Sequence, residues 1–279
     1  MSTESQLKIL SSGILLTILL PLLASVGTQI PDPNQAPAPA GETAYYLAEH
    51  GDLDIGFEEG QLDLHVHLHA GAIVNGKALP EDTSFDPDAV IVVATQEARI
   101  LRPAGPLWDP TGTDVNRPLW VLPQHEKEGL PALGLATDEI ETGVFVNDVV
   151  TLSLRHLKGP GDFSLWADNA LGQPGFLLST HGQILSTTLP VALHAHCNWG
   201  FTRPGTYTLV FEVTANLSGG GSTRALAICT FLVSESPIPL EALPGDINLD
   251  GVVNESDLQI VKDNLGRRIP VWPAPQGSQ

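Results

Sequence analysis

The chain has 279 residues and sets 13 basic side chains against 32 acidic ones, for a net charge of −19; Gly (27) and Pro (23) are frequent, and there are two cysteines. That field repels a nucleic-acid duplex and an anionic membrane surface, so nucleic-acid binding is excluded, and two cysteines are too few for a disulfide-dense miniprotein or a four-cysteine zinc ribbon. An apolar content of 42% supplies a core, and the wealth of turn residues favours strands over a helical bundle.

At the start, Lys8 precedes an apolar run from Ile14 to Ala24, followed by Ser25-Val26-Gly27. A basic residue, a short apolar stretch and a small-residue pair predict a secretory signal over residues 1–27, cleaved near Gly27. An uncleaved anchor is the alternative, although the run falls short of the roughly 20 residues that span a bilayer. Both readings place the rest of the chain outside the cytosol, extracellular or at the cell surface. Residues 28–42 (TQIPDPNQAPAPAGE) read as a Pro-rich linker.

From residue 43 to 234 the texture changes to short alternating or β-branched runs: QLDLHVHL (61–68), AVIVVA (89–94), VVTLSLRHL (149–157), VALHAHC (191–197), TYTLVFEVT (206–214) and RALAICTFLV (224–233). Turn signals such as Asn75-Gly76, KGPGD (158–162) and RPG (203–205) separate them. Many short strands at short spacing predict an all-β domain, an antiparallel β-sandwich. Trp199, Phe201 and Tyr207 in WGFTRPGTY, with Trp108, Trp120 and Trp166, are core candidates. Cys197 and Cys229 either pair as a disulfide, which an oxidising compartment permits, or serve as small buried apolar residues.

Within this domain His65, His67 and His69 recur at period two, which puts them on one face of a strand; His194 and His196 repeat the pattern. If the two strands are neighbours, the imidazoles of His65, His67, His194 and His196 converge on a divalent transition metal such as zinc, with His50 and Asp52 as further ligands at the sheet edge. Ala195 and Cys197 fall on the opposite face, so Cys197 is a poor ligand. The competing reading is an ordinary polar strand face.

After a second Pro-broken linker (235–244), residues 246–257 read DINLDGVVNESD. Counting from Asp246, oxygen-bearing side chains occupy loop positions 1, 3, 5, 9 and 12, Gly251 sits at the sharp turn, and Val252 offers its carbonyl at position 7. This stagger suits calcium, a hard cation that takes six to eight oxygens. Leu258, Val261 and Leu265 then share a helical face, and a tail (267–279) follows. The prediction is a small C-terminal calcium loop–helix module over residues 245–266.

Segment 245–266 (GDINLDGVVNESDLQIVKDNLG) resembles one half of a type I dockerin. The resemblance implies calcium ligation by Asp246, Asn248, Asp250, Val252 (carbonyl) and Asp257. It also implies a cohesin-like partner read through Glu255 and Ser256, although only one of the family's two repeats is present. The segments EHGDLDIGFEEGQLDLHVHLHAG, LWVLPQ, GLPALGLATDEIETGVFVNDVVTLSLRHLKGPGDFSLW and HAHCNWGFTRPGTYTLVFEVTA look like the bacterial surface-anchored family called choice-of-anchor M, and are similar to the actinobacterial surface-anchored repeat. That resemblance spans about residues 44–233. It implies an exported surface protein with a C-terminal anchor or tag, sometimes encoded beside metal-type transporters, and it matches the paired histidines to the family's own His-x-His positions.

No G-x-S-x-G, H-E-x-x-H or Walker loop is present. The sequence therefore predicts a secreted or surface-displayed, non-catalytic binding protein, with a metal ion or glycan as the ligand of the sandwich. The alternative is a polysaccharide-associated component or hydrolase of a cohesin–dockerin type assembly.

Overall fold

The computed structural model describes residues 43–236. The signal segment and first linker, and the calcium-loop residues Asp246, Asn248, Asp250, Val252 and Asp257, lie outside the described residues. In chain order the strands are β1 (Ala44–Glu58), β2 (Gln61–Leu68), β3 (Ile73–Val74), β4 (Lys77–Ala78), β5 (Thr83–Phe85), β6 (Val90–Ala94), β7 (Arg99–Leu101), β8 (Pro118–Leu122) and β9 (Pro131–Ala136). They continue as β10 (Val149–Lys158), β11 (Phe163–Asp168), β12 (Pro174–Ser179), β13 (Ser186–Pro190), β14 (His194–His196), β15 (Asn198–Phe201), β16 (Gly205–Asn216) and β17 (Ser222–Val233). Helical structure among the described residues is confined to short 3₁₀ turns such as Pro106–Thr111.

The fold is all-β, as the alternating runs predict. A large sheet runs β13-β10-β16-β17-β6-β1-β2-β5, and a second sheet runs β12-β11-β15-β8-β7. The two bury a common core. Trp199 and Phe201 of β15 lie 5.4 and 5.1 Å from the ring of Phe231 on β17. Phe163 of β11 faces Phe211 of β16 at 6.3 Å. Each such ring withdraws roughly 150–250 Å² from water, so this aromatic layer contributes substantially to the core. Trp120, Trp166, Trp199 and Tyr207 are all buried. Tyr207 adds a tether across the 203–207 turn, since its hydroxyl donates to the Arg203 carbonyl at 2.8 Å.

Pairing in the large sheet is mixed rather than wholly antiparallel. β1 lies parallel to β6 and to β9, and β17 lies parallel to β6. β1 also changes partners at a bend. Up to Ala48 it pairs with β6 and β3; beyond Glu49 it pairs with β2 and β9. Glu49 takes a left-handed φ of 72°, and the buried Tyr46 hydroxyl donates to the Glu49 carbonyl at 2.6 Å, fixing the turn. The bend carries the chain into a five-strand region ordered β14-β9-β1-β2-β5.

The run 191–197 is only partly a strand. Ala192 has φ 55°, and the extended stretch is His194–His196 alone. Thr137 holds this turn. Its backbone N–H donates to the Leu193 carbonyl (2.7 Å) and its carbonyl accepts from Ala192 N–H (3.0 Å). Its hydroxyl donates to the Pro190 carbonyl (2.8 Å) and accepts from Leu193 N–H (3.0 Å). Cys197 and Cys229 are free and buried, with no disulfide between them. Cys197 belongs to the β14–β15 connection and Cys229 to β17, where it pairs with Leu209. Burial in apolar surroundings pushes both thiols up to about 12, so they act as small apolar core residues.

Candidate metal centre

Strand pairing brings the two histidine segments to one face of the five-strand region. The cross-strand register runs His196–Gly134–Asp52–His67 in one row and His194–Ala136–Asp54–His65 in the next. His50 pairs with Ala132, and His69 N–H donates to the His50 carbonyl at 3.2 Å. Because side chains alternate across a pleated sheet, these residues share one face while Leu53 and Ile55 point into the core. β9 separates β14 from β1 and contributes only Ala132, Gly134 and Ala136 to this face. Imidazoles from β14 and carboxylates from β1 can therefore meet over it.

Asp52 is the centre of the first group. It is 2% exposed. Its Oδ2 lies 3.2 Å from His50 Nε2 and 3.2 Å from His69 Nε2, and its Oδ1 lies 3.3 Å from His194 Nε2. His196 completes the cluster, its ring 4.8 Å from that of His50 and 5.4 Å from that of His194. Asp52 Oδ1 has no hydrogen bond among the described residues, despite the nearby His194 nitrogen. The potential metal-ligand atoms of His50, His194 and His196 lie within 4.8 Å of one another, as do those of His50, Asp52 and His69.

A second group forms around Asp54, also buried and with an unpaired Oδ1. Asp54 Oδ2 lies 3.6 Å from His65 Nε2 and 4.0 Å from His67 Nδ1. Sequence reasoning assigned His50, His65, His67, His194 and His196 to one centre. The fold sets His50 with His194 and His196 and also with Asp52 and His69, sets His65 and His67 with Asp54, and brings His67 and His69 to Asp82. Asp54 was missed although DLD repeats the period-two spacing of the histidines, and so were Gly134 and the rim carboxylates.

The rim is acidic and half exposed. Asp63 lies 3.0 Å and Glu139 3.9 Å from His65, Asp82 lies 3.8 Å from His67, and Asp138 lies 3.6 Å from His194. The electrostatics follow. Burial acts to raise the Asp52 carboxyl, but the imidazoles of His50, His194 and His69 outweigh it and hold the group below the usual carboxylate range. The hydrogen bond to Asp52 raises His50. Asp54, against the opposing effect of burial and with help from Asp63, raises His65 to about 9. His196 is lowered by burial and by the nearby His50.

A cleft of about 1020 Å³ lined by Arg117, Trp120, His156, Lys158 and Arg203 shares no residue with the histidine face. The histidine–carboxylate cluster therefore lies on a sheet surface and not in that hollow. No family model, curated protein or solved structure matches the chain.

Proposed function

We propose that the protein is an exported, non-catalytic binding protein that captures a divalent transition-metal ion such as zinc on its histidine face. The observation that carries this reading is the buried Asp52 carboxylate, with imidazole nitrogens of His50, His69 and His194 at 3.2–3.3 Å. Ligands about 2.0–2.1 Å from a tetrahedral ion are spaced by roughly 3.3–3.4 Å, and each imidazole–carboxylate distance here is close to that spacing. The donor set is imidazole-rich, which suits zinc, copper or nickel better than calcium or magnesium. A cation also offsets the cost of burying a carboxylate whose Oδ1 makes no hydrogen bond among the described residues. The net charge of −19 raises the local concentration of cations at the acidic rim.

In this reading the sandwich is the capture domain, exported by the N-terminal signal. The 245–266 calcium loop, similar to half a dockerin, tethers the domain to a cohesin-like or other surface partner. Chelating calcium should then increase proteolysis within 245–266 and spare the sandwich. The rival reading, a polysaccharide-associated component or hydrolase, gains no sugar platform from Trp166 and Trp199, which are buried.

Metal analysis of untagged protein tests the proposal. One or more zinc, copper or nickel ions per chain are expected, with the ion at Asp52 lost when His50, His69, His194 and His196 are all replaced by alanine. A folded wild-type chain that takes up none of these metals overturns it.

A further inference from the structure

The histidine face carries more ligands than one ion can use; they fall into two groups, each on a buried aspartate, with His67 and His69 also meeting at the rim carboxylate of Asp82 between them. The donors of the first gather on Asp52. The second group has its own buried carboxylate, Asp54, 6% exposed and with an Oδ1 that finds no hydrogen bond among the described residues. Asp54, His65 and His67 each present one donor atom within 4.8 Å of the others. Glu139, in the segment that follows β9, brings an oxygen to 3.9 Å from His65 Nε2. Two imidazoles, a buried carboxylate and a rim carboxylate make a four-donor set of the kind zinc accepts.

We propose that Asp54, His65, His67 and Glu139 hold a second divalent transition-metal ion beside the ion at Asp52, so that the face binds two ions in a row. The inference rests on reading the histidine face as a cation site and extends it. Asp52 and Asp54 are two residues apart on one strand, so their Cα atoms stand about 6.6 Å apart. Ions held on two such carboxylates would each keep a ligand set of their own, unlike the ions of bridged two-metal catalytic centres, which stand about 3.5–4 Å apart. Each ion thus has its own carboxylate, which suits storage or hand-over of cations better than joint activation of a substrate. His67 stands between the groups. Its Nδ1 faces Asp54 at 4.0 Å, while its ring lies 4.9 Å from that of His69, a member of the first group.

The unequal surroundings order the two ions. The first centre has three imidazoles within 3.3 Å of a carboxylate that is 2% exposed, whereas the second takes one of its four donors from half-exposed Glu139. The Asp52 centre fills first. The Asp54 centre, whose donors stand 3.6–4.0 Å apart rather than 3.2–3.3 Å, holds its ion more weakly.

The test is Cu(II) and Zn(II) titration of the untagged full-length chain, with excess calcium to occupy the C-terminal loop. Competition with a chromophoric chelator should give two ions per chain in separate steps. The fully loaded copper form should show the half-field electron paramagnetic resonance line of two coupled Cu(II) ions. Asp54→Asn combined with His65→Ala should remove the weaker ion and the half-field line while leaving one ion bound. Asp52→Asn combined with His194→Ala should remove the tighter ion and leave the other. Circular dichroism establishes that each variant is folded; the wild-type stoichiometry and half-field line decide the question even if a variant is not. A wild-type chain that binds one ion, insensitive to Asp54→Asn/His65→Ala, overturns the second site and leaves the first. Loss of both ions in either folded pair of substitutions also overturns it, because the sites are then not separable. No ion in the folded wild type overturns both readings.

Discussion

Gly134 on β9 lies beneath the carboxylate of Asp52 on β1, and a Cβ placed on Gly134 would stand 2.1 Å from Asp52 Oδ1. The glycine is therefore what lets a buried carboxylate sit between strands β14 and β2 within reach of His194 and His69. Its backbone conformation is ordinary, so the requirement is for space and not for an unusual φ.

Gly134→Ala should displace Asp52 and spoil the spacing of the three Nε2 atoms around it. Losses of this kind next to metal ligands run to about 10–100-fold in affinity. The added methyl should also cost about 1–3 kcal/mol of stability through overpacking. A chelator competition assay and urea unfolding of the same protein read the two effects. Unchanged zinc affinity in a folded variant would count against Asp52 as a ligand.

Thr137 ties the β14 turn to the end of β9, so Thr137→Val should loosen His194 and His196 without touching either. Loss of the hydroxyl's two hydrogen bonds should destabilise the fold by about 1–3 kcal/mol. Thr137→Ser should restore most of that loss. The imidazole resonances of His194 and His196 should broaden or shift in the valine variant, and those of His65 should not. Equal perturbation of all three would argue against a local clasp.

Trp199 links the layers. Its buried indole N–H donates to the Leu133 carbonyl of β9 at 2.7 Å, joining the second sheet to the strand that underlies the metal centre. Trp199→Phe removes the donor, keeps an aromatic ring and takes this bond away from that carbonyl. A loss of about 1–3 kcal/mol in denaturant unfolding is expected. A variant as stable as the wild type would show that the bond contributes nothing net.

Chelator-treated protein should show a distinctive histidine titration. His65 is raised from the ordinary 6.5 to about 9 by Asp54 and Asp63. Its ion pairs thus stabilise the fold fully below pH 6.5, where folded and unfolded chains are both protonated. This contribution declines as pH rises and is gone above about 9. Asp52 behaves in the opposite sense: its contribution is complete above the usual carboxylate value of 3.8 and is lost as pH falls through its lower folded value. Nuclear magnetic resonance of the imidazole carbons should show His196 titrating below 6.5 and His65 near 9. Asp54→Asn should bring His65 back toward 6.5. A wild-type His65 that titrates with the exposed histidines would contradict the Asp54–His65 geometry.

The sequence by itself determined the all-β class, the buried aromatics of WGFTRPGTY and the shared face of His65, His67 and His69. Each is a local consequence of period-two alternation or of turn chemistry, and a strand keeps that period whatever it packs against. It also marked two histidine strands as a pair worth joining. Only the tertiary structure decided how they are joined. β9 (PALGLA) is an apolar run with no alternation to show that one of its faces lies under a site, yet its Ala132, Gly134 and Ala136 create the room between β14 and β1. The bend at Glu49, which turns β1 from one set of partners to another, depends on a hydroxyl three residues away and leaves no trace in hydropathy. The division of the ligands between Asp52 and Asp54 follows from cross-strand register, a long-range property that local residue types do not encode.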